Sequence, residues 1–482
     1  MDAFFASVEV LDAPELAGRP VIVGGLGPRG VVASCTYEAR VFGVRSAMPM
    51  GQAHRHCPHG VFLAGRYDRY REVSRQLHQI LRGVTPLVEP IGLDEAFLDV
   101  SGARRLLGDP AAIAAAIRTR IFAELRLPCA VGVATTKLVA KLASKAAKPT
   151  VAAGRVQPGR GVVVVAADGV DAFLRPLAVR ALWGVGPATA ARLERLGVAT
   201  VADLAGVPEP TLARLLGPSL GAQLARLARG EDPRPVEAWR PVKSIGHEQT
   251  FPADLHSHLQ LRPQLWASAE AVADRLHRGG LAGRTVTVKL RWADLRTSTR
   301  SHTLTHPIDT AGAIVVAAGE LLDAVDVGGG IRLLGISLSG LAPASSAAEQ
   351  LSFEQLPWPA SGPAGATPAG PGSAGPGLGS GRDAVDRAVA AVRARYGPGA
   401  VAPAGAASTP AAGRAPDAGR GRATGRGRAT GPAPPGTPAP PGDAPPADTA
   451  AAPPPADADS PSDRRQVPLS AGSPCAKIGR KP

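Results

Sequence analysis

Cysteine is scarce in this chain: Cys35, Cys57, Cys129 and Cys475 are scattered through 482 residues with no C-x-x-C pair. That spacing excludes a disulfide framework and a thiolate zinc site and leaves reduced thiols. Long apolar runs are missing too. The longest, residues 162–167 and 111–117, fall far short of the roughly 20 residues that cross a bilayer. No basic stretch precedes an apolar one after Met1-Asp2, so no secretory leader is read there, no membrane partner is expected, and the expected compartment is the cytoplasm. Aromatic residues stop at Tyr396. Residues 404–482 consist mostly of Ala, Pro, Gly, Asp and Arg, which cannot bury enough apolar surface to fold, so a disordered tail is expected.

Positive charge, in contrast, is plentiful. Lys+Arg 54 against Asp+Glu 40 gives a net charge of +14, which points to an anionic partner, nucleic acid before a membrane surface. The tail holds ten Lys/Arg and six Asp, or +4, so about +10 belongs to residues 1–403. Gly419-Arg420-Gly421-Arg422 and Gly425-Arg426-Gly427-Arg428 resemble short Gly-Arg repeats, which either bind nucleic acid without sequence preference or are solvated filler.

At about 150 residues per domain the length suggests three folded units. A linker of Pro, Ala, Gly and Ser at 359–381 separates the body from one amphipathic helix, 383–396. Upstream, β-rich runs at 20–24, 61–64, 97–100, 130–134 and 162–165 alternate with helical patterns at 67–81 and 110–125, the pattern of a mixed α/β sheet domain. Short Gly-punctuated helices fill 170–229. An α+β pattern returns over 243–341, with strands near 285–292, 298–305 and 331–339.

Chemistry concentrates in a few segments. In Val88-Glu89-Pro90-Ile91-Gly92-Leu93-Asp94-Glu95-Ala96-Phe97-Leu98-Asp99-Val100, two carboxylates sit between short apolar runs, the form of a hairpin tip. Paired carboxylates at a turn suit magnesium, which takes oxygen ligands and leaves room for phosphates; a bare Asp-Glu also suits an ordinary solvated turn. Tyr37 and Arg40 stand three residues apart, one helical turn, and offer a hydroxyl and a guanidinium fork to a polyphosphate, or simply a basic helix face. Lys137, Lys141, Lys145 and Lys148 recur around Leu138, Val139 and Leu142 as one cationic stripe on an amphipathic helix, with Lys148 at the helix end.

Met1-Asp2-Ala3-Phe4-Phe5-Ala6-Ser7-Val8-Glu9, Tyr37-x-x-Arg40, Gly43-Val44-Arg45-Ser46-Ala47-Met48-Pro49, Leu93-Asp94-Glu95-Ala96 and Lys141-Leu142-Ala143-Ser144-Lys145 occur in the order seen in Y-family DNA polymerases. The chain resembles that family, most closely its DinB or DNA polymerase IV group, from Met1 to about Leu341. The resemblance implies an α+β multidomain, right-hand fold: palm at 1–10 and 66–168, fingers at 11–65, a small helical thumb with a helix-hairpin-helix at 169–232, and an α+β little finger at 243–343. A linker at 344–381, a helical segment at 382–403 and the disordered tail at 404–482 would follow.

The implied activity is low-fidelity translesion synthesis, adding deoxynucleotides to a primer 3′ end by two-metal phosphoryl transfer in DNA damage tolerance. Asp94 and the Met1 backbone carbonyl would ligate magnesium, two ions being expected, with Glu95 as the companion catalytic acid. Tyr37, Arg40 and Lys148 would hold the β- and γ-phosphates of a deoxynucleoside triphosphate. Phe5 resembles a steric gate against a ribose 2′-hydroxyl, and Ala33 and Ser34 would roof the nascent base pair. The family also carries an acidic residue immediately before the position of Met1. Its absence here is read as a start codon set one strand too late, or as a weakly active or silent adaptor that binds DNA and clamp.

Primer-template DNA is the implied partner of a monomer. Leu182-Trp183-Gly184-Val185-Gly186-Pro187 resembles a helix-hairpin-helix, in which Gly184 and Gly186 let backbone N–H groups approach a phosphate. Arg284, Lys289, Arg291, Arg296 and Arg300 face only Asp294 across strand-like sequence and are expected to form a basic sheet face along the DNA backbone. Gln350, Leu351 and Phe353 resemble a compressed sliding-clamp peptide, which would raise the enzyme's effective concentration on DNA. Two departures from the family pattern are local: Gly92 stands where serine is usual, and 150–161 is longer than the usual turn.

Overall fold

The computed structural model describes residues 1–346, the helical positions Ala388, Val392 and Arg395, and residues 475–478. The three isolated positions fall inside the helix expected at 383–396; the clamp-like peptide at 350–353 lies outside the described residues.

The first 65 residues contain helix α1 (Phe4–Asp12), strands β1 (Val21–Gly24) and β2 (Val32–Cys35), helices α2 (Tyr37–Val41) and α3 (Met50–His56), and strand β3 (Val61–Ala64). They form a three-stranded sheet in the order β2-β1-β3, β1 antiparallel to β2 and parallel to β3. Ile22, Val32, Cys35, Ala39, Val44, Met50, Ala53 and Cys57 close its own small core.

Next come α4 (Tyr67–Arg82), β4 (Val88–Pro90), β5 (Ala96–Asp99), α5 (Arg104–Leu107), α6 (Pro110–Leu125), β6 (Val131–Ala134), α7 (Lys137–Ala146), the β7/β8 hairpin (Thr150–Ala152, Arg155–Gln157) and β9 (Val162–Val164). That hairpin is what the extra length after Lys148-Pro149 builds. In α4 the buried positions Tyr70, Val73, Ser74, Leu77, His78 and Leu81 follow the three-four spacing of one helix face. Asp109 caps α6 by accepting from Ala112 N–H, and Pro110 supplies a preset first turn. These faces cover the larger sheet, where Leu98, Val131 and Val133 lie in the same core as Phe4, Tyr70, Ile113 and Ile117. On the other side α7 crosses β6 at Gly132, where a Cβ would stand 2.1 Å from the Ala140 carbonyl oxygen; only glycine permits that approach.

A bundle of short helices follows: α8 (Val170–Leu174), α9 (Pro187–Glu194), α10 (Val201–Ala205), α11 (Glu209–Leu216) and α12 (Pro218–Ala228). It shares a core with α7 through Leu138, Leu142, Leu182, Leu193, Leu204 and Leu224. The last body region is β10 (Ser244–Leu255), α13 (His258–Gly279), β11 (Leu281–Trp292), β12 (Thr297–Ile308), α14 (Ala311–Asp323) and β13 (Ile331–Pro343), an antiparallel sheet in the order β10-β13-β11-β12 with helices on one face.

Within the stretch expected to be an unstructured tail, Cys475–Ile478 form β14, and the larger sheet runs β4-β5-β14-β6-β9. The strand pairs antiparallel with both β5 and β6, Ala476 opposite Leu98 and Val133. Composition alone does not see this, because what draws a strand in is the unpaired backbone of two buried neighbours, not the apolar content of the inserted segment. Among the described residues no helix is long and apolar enough to cross a membrane.

Candidate active site

Asp94 and Glu95 lie at the apex between β4 and β5. The turn is pinned from inside: Ile91 N–H donates to the Glu95 carbonyl at 2.8 Å, the Ser74 hydroxyl to the Leu93 carbonyl, and His78 Nε2 lies 3.3 Å from the Gly92 carbonyl. Burial lowers the His78 pKa, so its imidazole stays neutral beneath the carboxylates. No Cβ clash stands at Gly92; the departure there leaves the turn held by its carbonyl.

Three amines gather at this apex. The Met1 ammonium donates to the Asp94 carbonyl at 2.8 Å and lies 3.6 Å from Asp94 Oδ2. Lys148 Nζ donates to the Met1 carbonyl at 3.1 Å and lies 3.7 Å from Asp2 Oδ1, while Lys141 Nζ is 3.6 Å from Glu95 Oε1. Burial lowers the pKa of both the Met1 amine and Lys148. Asp2, Asp94 and Glu95 oppose the shift of Lys148 and the Arg40 charge adds to it, which sets Arg40 of α2 within electrostatic reach of Lys148. Within α2 the Arg40 guanidinium sits 4.2 Å over the Tyr37 ring, as a three-residue spacing on a helix allows.

Buried oxygens without a hydrogen-bond partner are costly, and two occur here, Asp2 Oδ1 and Asp94 Oδ2. Hard, negatively charged oxygens at a turn beside Glu95 and the Met1 carbonyl match the donor chemistry of a divalent cation held by one or two carboxylates plus substrate phosphates. Among the described residues no group of three His, Cys, Asp or Glu is close enough to hold an ion by itself. The oxygens present are of the kind a divalent cation takes, and they would hold one only together with ligands from outside this group.

Phe5, on the first turn of α1, is half-buried and stacks on Tyr70, with centroids 4.4 Å apart. Ser34 does not roof an open pocket: it is fully buried, and its hydroxyl lies 3.5 Å from the Ala6 N–H, beneath α1. Ala33, one residue before it, is half-buried.

The lysine stripe is not one surface. Lys137 is buried, donating to Glu89 and to the Pro235 carbonyl, and Lys141 lies over the Trp183 ring, whereas Lys145 is exposed. Periodicity placed these lysines near one face; what packs across that face decided which are solvated. The helix itself ends at Ala146, two residues before Lys148. Trp183, within the segment that resembles a helix-hairpin-helix, ties the helical bundle to the sheet domain through Phe97 and Lys141, with Arg234 of the segment after α12 also over its ring. Its one signal was a large aromatic beside two glycines.

Gly184 takes φ 90°, and Gly186 caps α9, which opens with Pro187. The segment before Gly184 is a single 3₁₀ turn, Val179–Ala181, rather than a full helix.

The five basic residues around β11 do not share a face either. Cross-strand partners point to the same side of a sheet, and Arg300 is opposite Val288, whose side chain is in the helix-covered core. Lys289 and Arg291 point to the open face with Thr285 and Thr287, where Lys289 pairs with Glu248 at 2.8 Å and Arg291 donates to Thr297. Arg296 folds over the Trp292 ring in the turn, and Arg284 is exposed where the β11–β12 register shifts. Odd-numbered positions face the open side in both β11 and β12, so the even-numbered Arg300 falls on the opposite side from Lys289 and Arg291 by the alternation itself.

Residues 1–145 match the impB/mucB/samB family, 242–353 its C-terminal domain, and 180–232 a thumb domain described for DNA polymerase-iota. A DNA polymerase IV of Streptomyces coelicolor is 46% identical over 341 residues, 70% of this chain and 69% of that protein. One of Halorhodospira halophila is 45% identical over 341 residues, 70% of this chain and 93% of that protein. Among solved structures, a Y-family DNA polymerase chimera, Dbh-Dpo4(243-245)-Dbh, superposes with a TM-score of 0.62 at 25% identity, covering 70% of this chain and 96% of that one. An insertion ternary complex of Dbh DNA polymerase gives a TM-score of 0.51 at the same identity and coverage.

Proposed function

The chain belongs to the Y family of DNA polymerases, in its DNA polymerase IV group, and on that premise we propose that it extends primers across damaged template with low fidelity, in DNA damage tolerance. It is a DNA-directed DNA polymerase with the family's right-hand fold, and its partners are primer-template DNA and deoxynucleoside triphosphates. We assign the palm to 1–10 and 66–168, the fingers to 11–65, the thumb to 169–232 and the little finger to 243–343.

The observation that carries the site assignment is the buried Asp94 Oδ2 at the hairpin apex, which accepts no hydrogen bond and meets only the Met1 ammonium at 3.6 Å. Asp94, Glu95 and the Met1 carbonyl are the oxygens that would hold magnesium, two ions with the substrate's phosphates; bound there, it supplies charge stabilisation to the attacking and leaving oxygens. Glu95 faces the primer 3′-hydroxyl as the companion acid. Tyr37, Arg40 and Lys148 grip the β- and γ-phosphates, and their convergence from two separate elements orients the α-phosphate for in-line attack. Phe5 excludes a ribose 2′-hydroxyl. Gly184 and Gly186 present backbone N–H groups to a phosphate, while Lys289, Arg291, Arg284, Arg296 and Arg300 add sequence-independent attraction from several faces of the little finger. A clamp contact through Gln350, Leu351 and Phe353 would supply processivity to a monomer.

Primer extension on a defined template, with magnesium titrated, tests this reading. Extension by the chain that disappears in Asp94→Asn and Glu95→Gln supports it. DNA binding without extension under any metal condition would favour the silent adaptor instead.

A further inference from the structure

The assignment of Phe5 as a sugar gate raises the question of what fixes its ring. Phe5 and Glu9 are four residues apart on α1 and therefore share one face of that helix. Both meet the same side chain of α4. The Phe5 ring stacks on Tyr70 with 14° between the planes, and the Tyr70 hydroxyl donates to Glu9 Oε1. Tyr70 is 0% exposed and Glu9 6%, so this contact is dry. Arg66 closes the arrangement: its Nε donates to Glu9 Oε1 at 3.0 Å and Oε2 at 2.9 Å, and its Nη2 also reaches Asp12 one turn further along α1. Tyr67 meets the Phe5 ring edge-on at 5.7 Å.

A stacked aromatic pair tolerates sliding, because its attraction varies slowly with offset. A hydroxyl bonded to a buried carboxylate does not, since any slide breaks a charge-assisted bond where no water can replace it. Burial also raises the pKa of the Tyr70 hydroxyl, which keeps its proton on the donor at working pH.

We propose that Glu9 is a positioning residue for sugar discrimination: acting through Tyr70, it fixes the plane of the Phe5 ring against the 2′ position of the incoming nucleotide. The inference rests on Phe5 being the gate. Glu9 touches no substrate; it anchors the aromatic layer behind the residue that does.

The test is kcat/KM for a deoxynucleotide and its matching ribonucleotide on one primer-template, in the parent chain and in Phe5→Ala, Tyr70→Phe, Glu9→Ala and Glu9→Gln. The ratio of the two values cancels any general loss of activity. Tyr70→Phe keeps the ring and its volume, so it reads the lost hydroxyl bond even if Glu9→Ala folds poorly. Both should lower discrimination roughly tenfold, one 1.36 kcal/mol step in relative transition-state binding. Glu9→Gln, which still offers an oxygen acceptor, should recover most of it. Ratios in Tyr70→Phe and Glu9→Ala within about twofold of the parent, while Phe5→Ala collapses discrimination, overturn the positioning role. An unchanged ratio in Phe5→Ala removes the gate reading itself, and the inference with it.

Discussion

Glu89 on β4 and Lys137 on α7, 48 residues apart in the chain, form an ion pair in which both side chains are less than a tenth exposed. The pair also fixes the segment that leads from α12 to β10: Lys137 donates to the Pro235 carbonyl, and Glu89 accepts from the Glu237 N–H at 2.9 Å and meets Arg240 at 3.1 Å. Removing Glu89 leaves the buried Lys137 ammonium without a counter-charge, which costs about 3–5 kcal/mol, whereas removing Lys137 leaves Glu89 with Arg240 and the Glu237 N–H and costs less. Glu89→Ala should therefore lower the urea midpoint sharply and Lys137→Ala by less, and Glu89→Met with Lys137→Met should recover much of the loss of Glu89→Ala. Equal midpoints for single and double variants would contradict this.

Arg29 in the loop between β1 and β2 meets Asp254 of β10 at 2.8 Å and also donates to the Phe251 carbonyl at 3.1 Å. The hydrogen bond from Arg29 holds the Asp254 carboxyl below the ordinary carboxylate range. A lowered carboxylate pKa stabilises the contact above the ordinary value, and the contact is lost as pH falls through the lowered one. Fluorescence transfer between labels on the two domains should report one distance at neutral pH in low salt and a wider distribution in Arg29→Ala. High salt should act in the same direction, since both side chains reach solvent. Indifference to both changes would show that other contacts set the domain spacing.

His78 beneath the turn between β4 and β5 should give acid sensitivity. Burial lowers its pKa, so near neutral pH it is neutral in both folded and unfolded chains. As pH falls below about 6.5, the unfolded chain takes up the proton first, and stability declines toward the lowered folded value. Melting temperature measured from neutral to mildly acid pH should fall less steeply in His78→Gln than in the parent.

Asp94→Asn keeps shape and removes the charge at Oδ2, which accepts no hydrogen bond. If that carboxylate holds magnesium, the several kcal/mol that such an ion supplies correspond to a loss of roughly 10²–10³ in extension rate. Added magnesium should restore part of it. A rate unchanged by the substitution removes Asp94 from the site.

β14 contributes backbone pairing to two buried strands at once. A chain ending at Ala471 should melt at least about 4 °C lower, since each kcal/mol moves the melting point of a domain this size by a few degrees. Equal melting points would mean that Cys475–Ile478 add nothing to the sheet.

Much of the fold was legible. The helix expected at 110–125 is α6, and that at 67–81 is α4 to within one residue: α4 carries strong one-sided apolar spacing, and α6 opens on the Asp109-Pro110 cap and repeats Ile at 113, 117 and 121. Strand β10 was not foreseen: Ser-Ile-Gly-His-Glu-Gln-Thr-Phe-Pro-Ala-Asp-Leu is poor in β-branched residues and contains Gly and Pro, as an edge strand tolerates and an interior one does not. The apex carboxylates, the Tyr37–Arg40 pair and Lys148 were singled out by residue type and spacing; the fold sets Lys148 beside Asp2 and the Met1 carbonyl and stacks Arg40 over Tyr37.

By itself the amino-acid sequence determined the family, the order of its domains and the identity of the groups at the candidate site, since these depend on local propensity and on motifs a few residues long. Only the tertiary structure decided that Lys137 is buried while Lys145 is not, that Ser34 turns beneath α1, and that Glu9 reaches Phe5 through Tyr70. The physical reason is the same in each case. Spacing fixes the side of its own element from which a side chain projects, but burial, charge pairing and register depend on which surface the folded chain lays against that side.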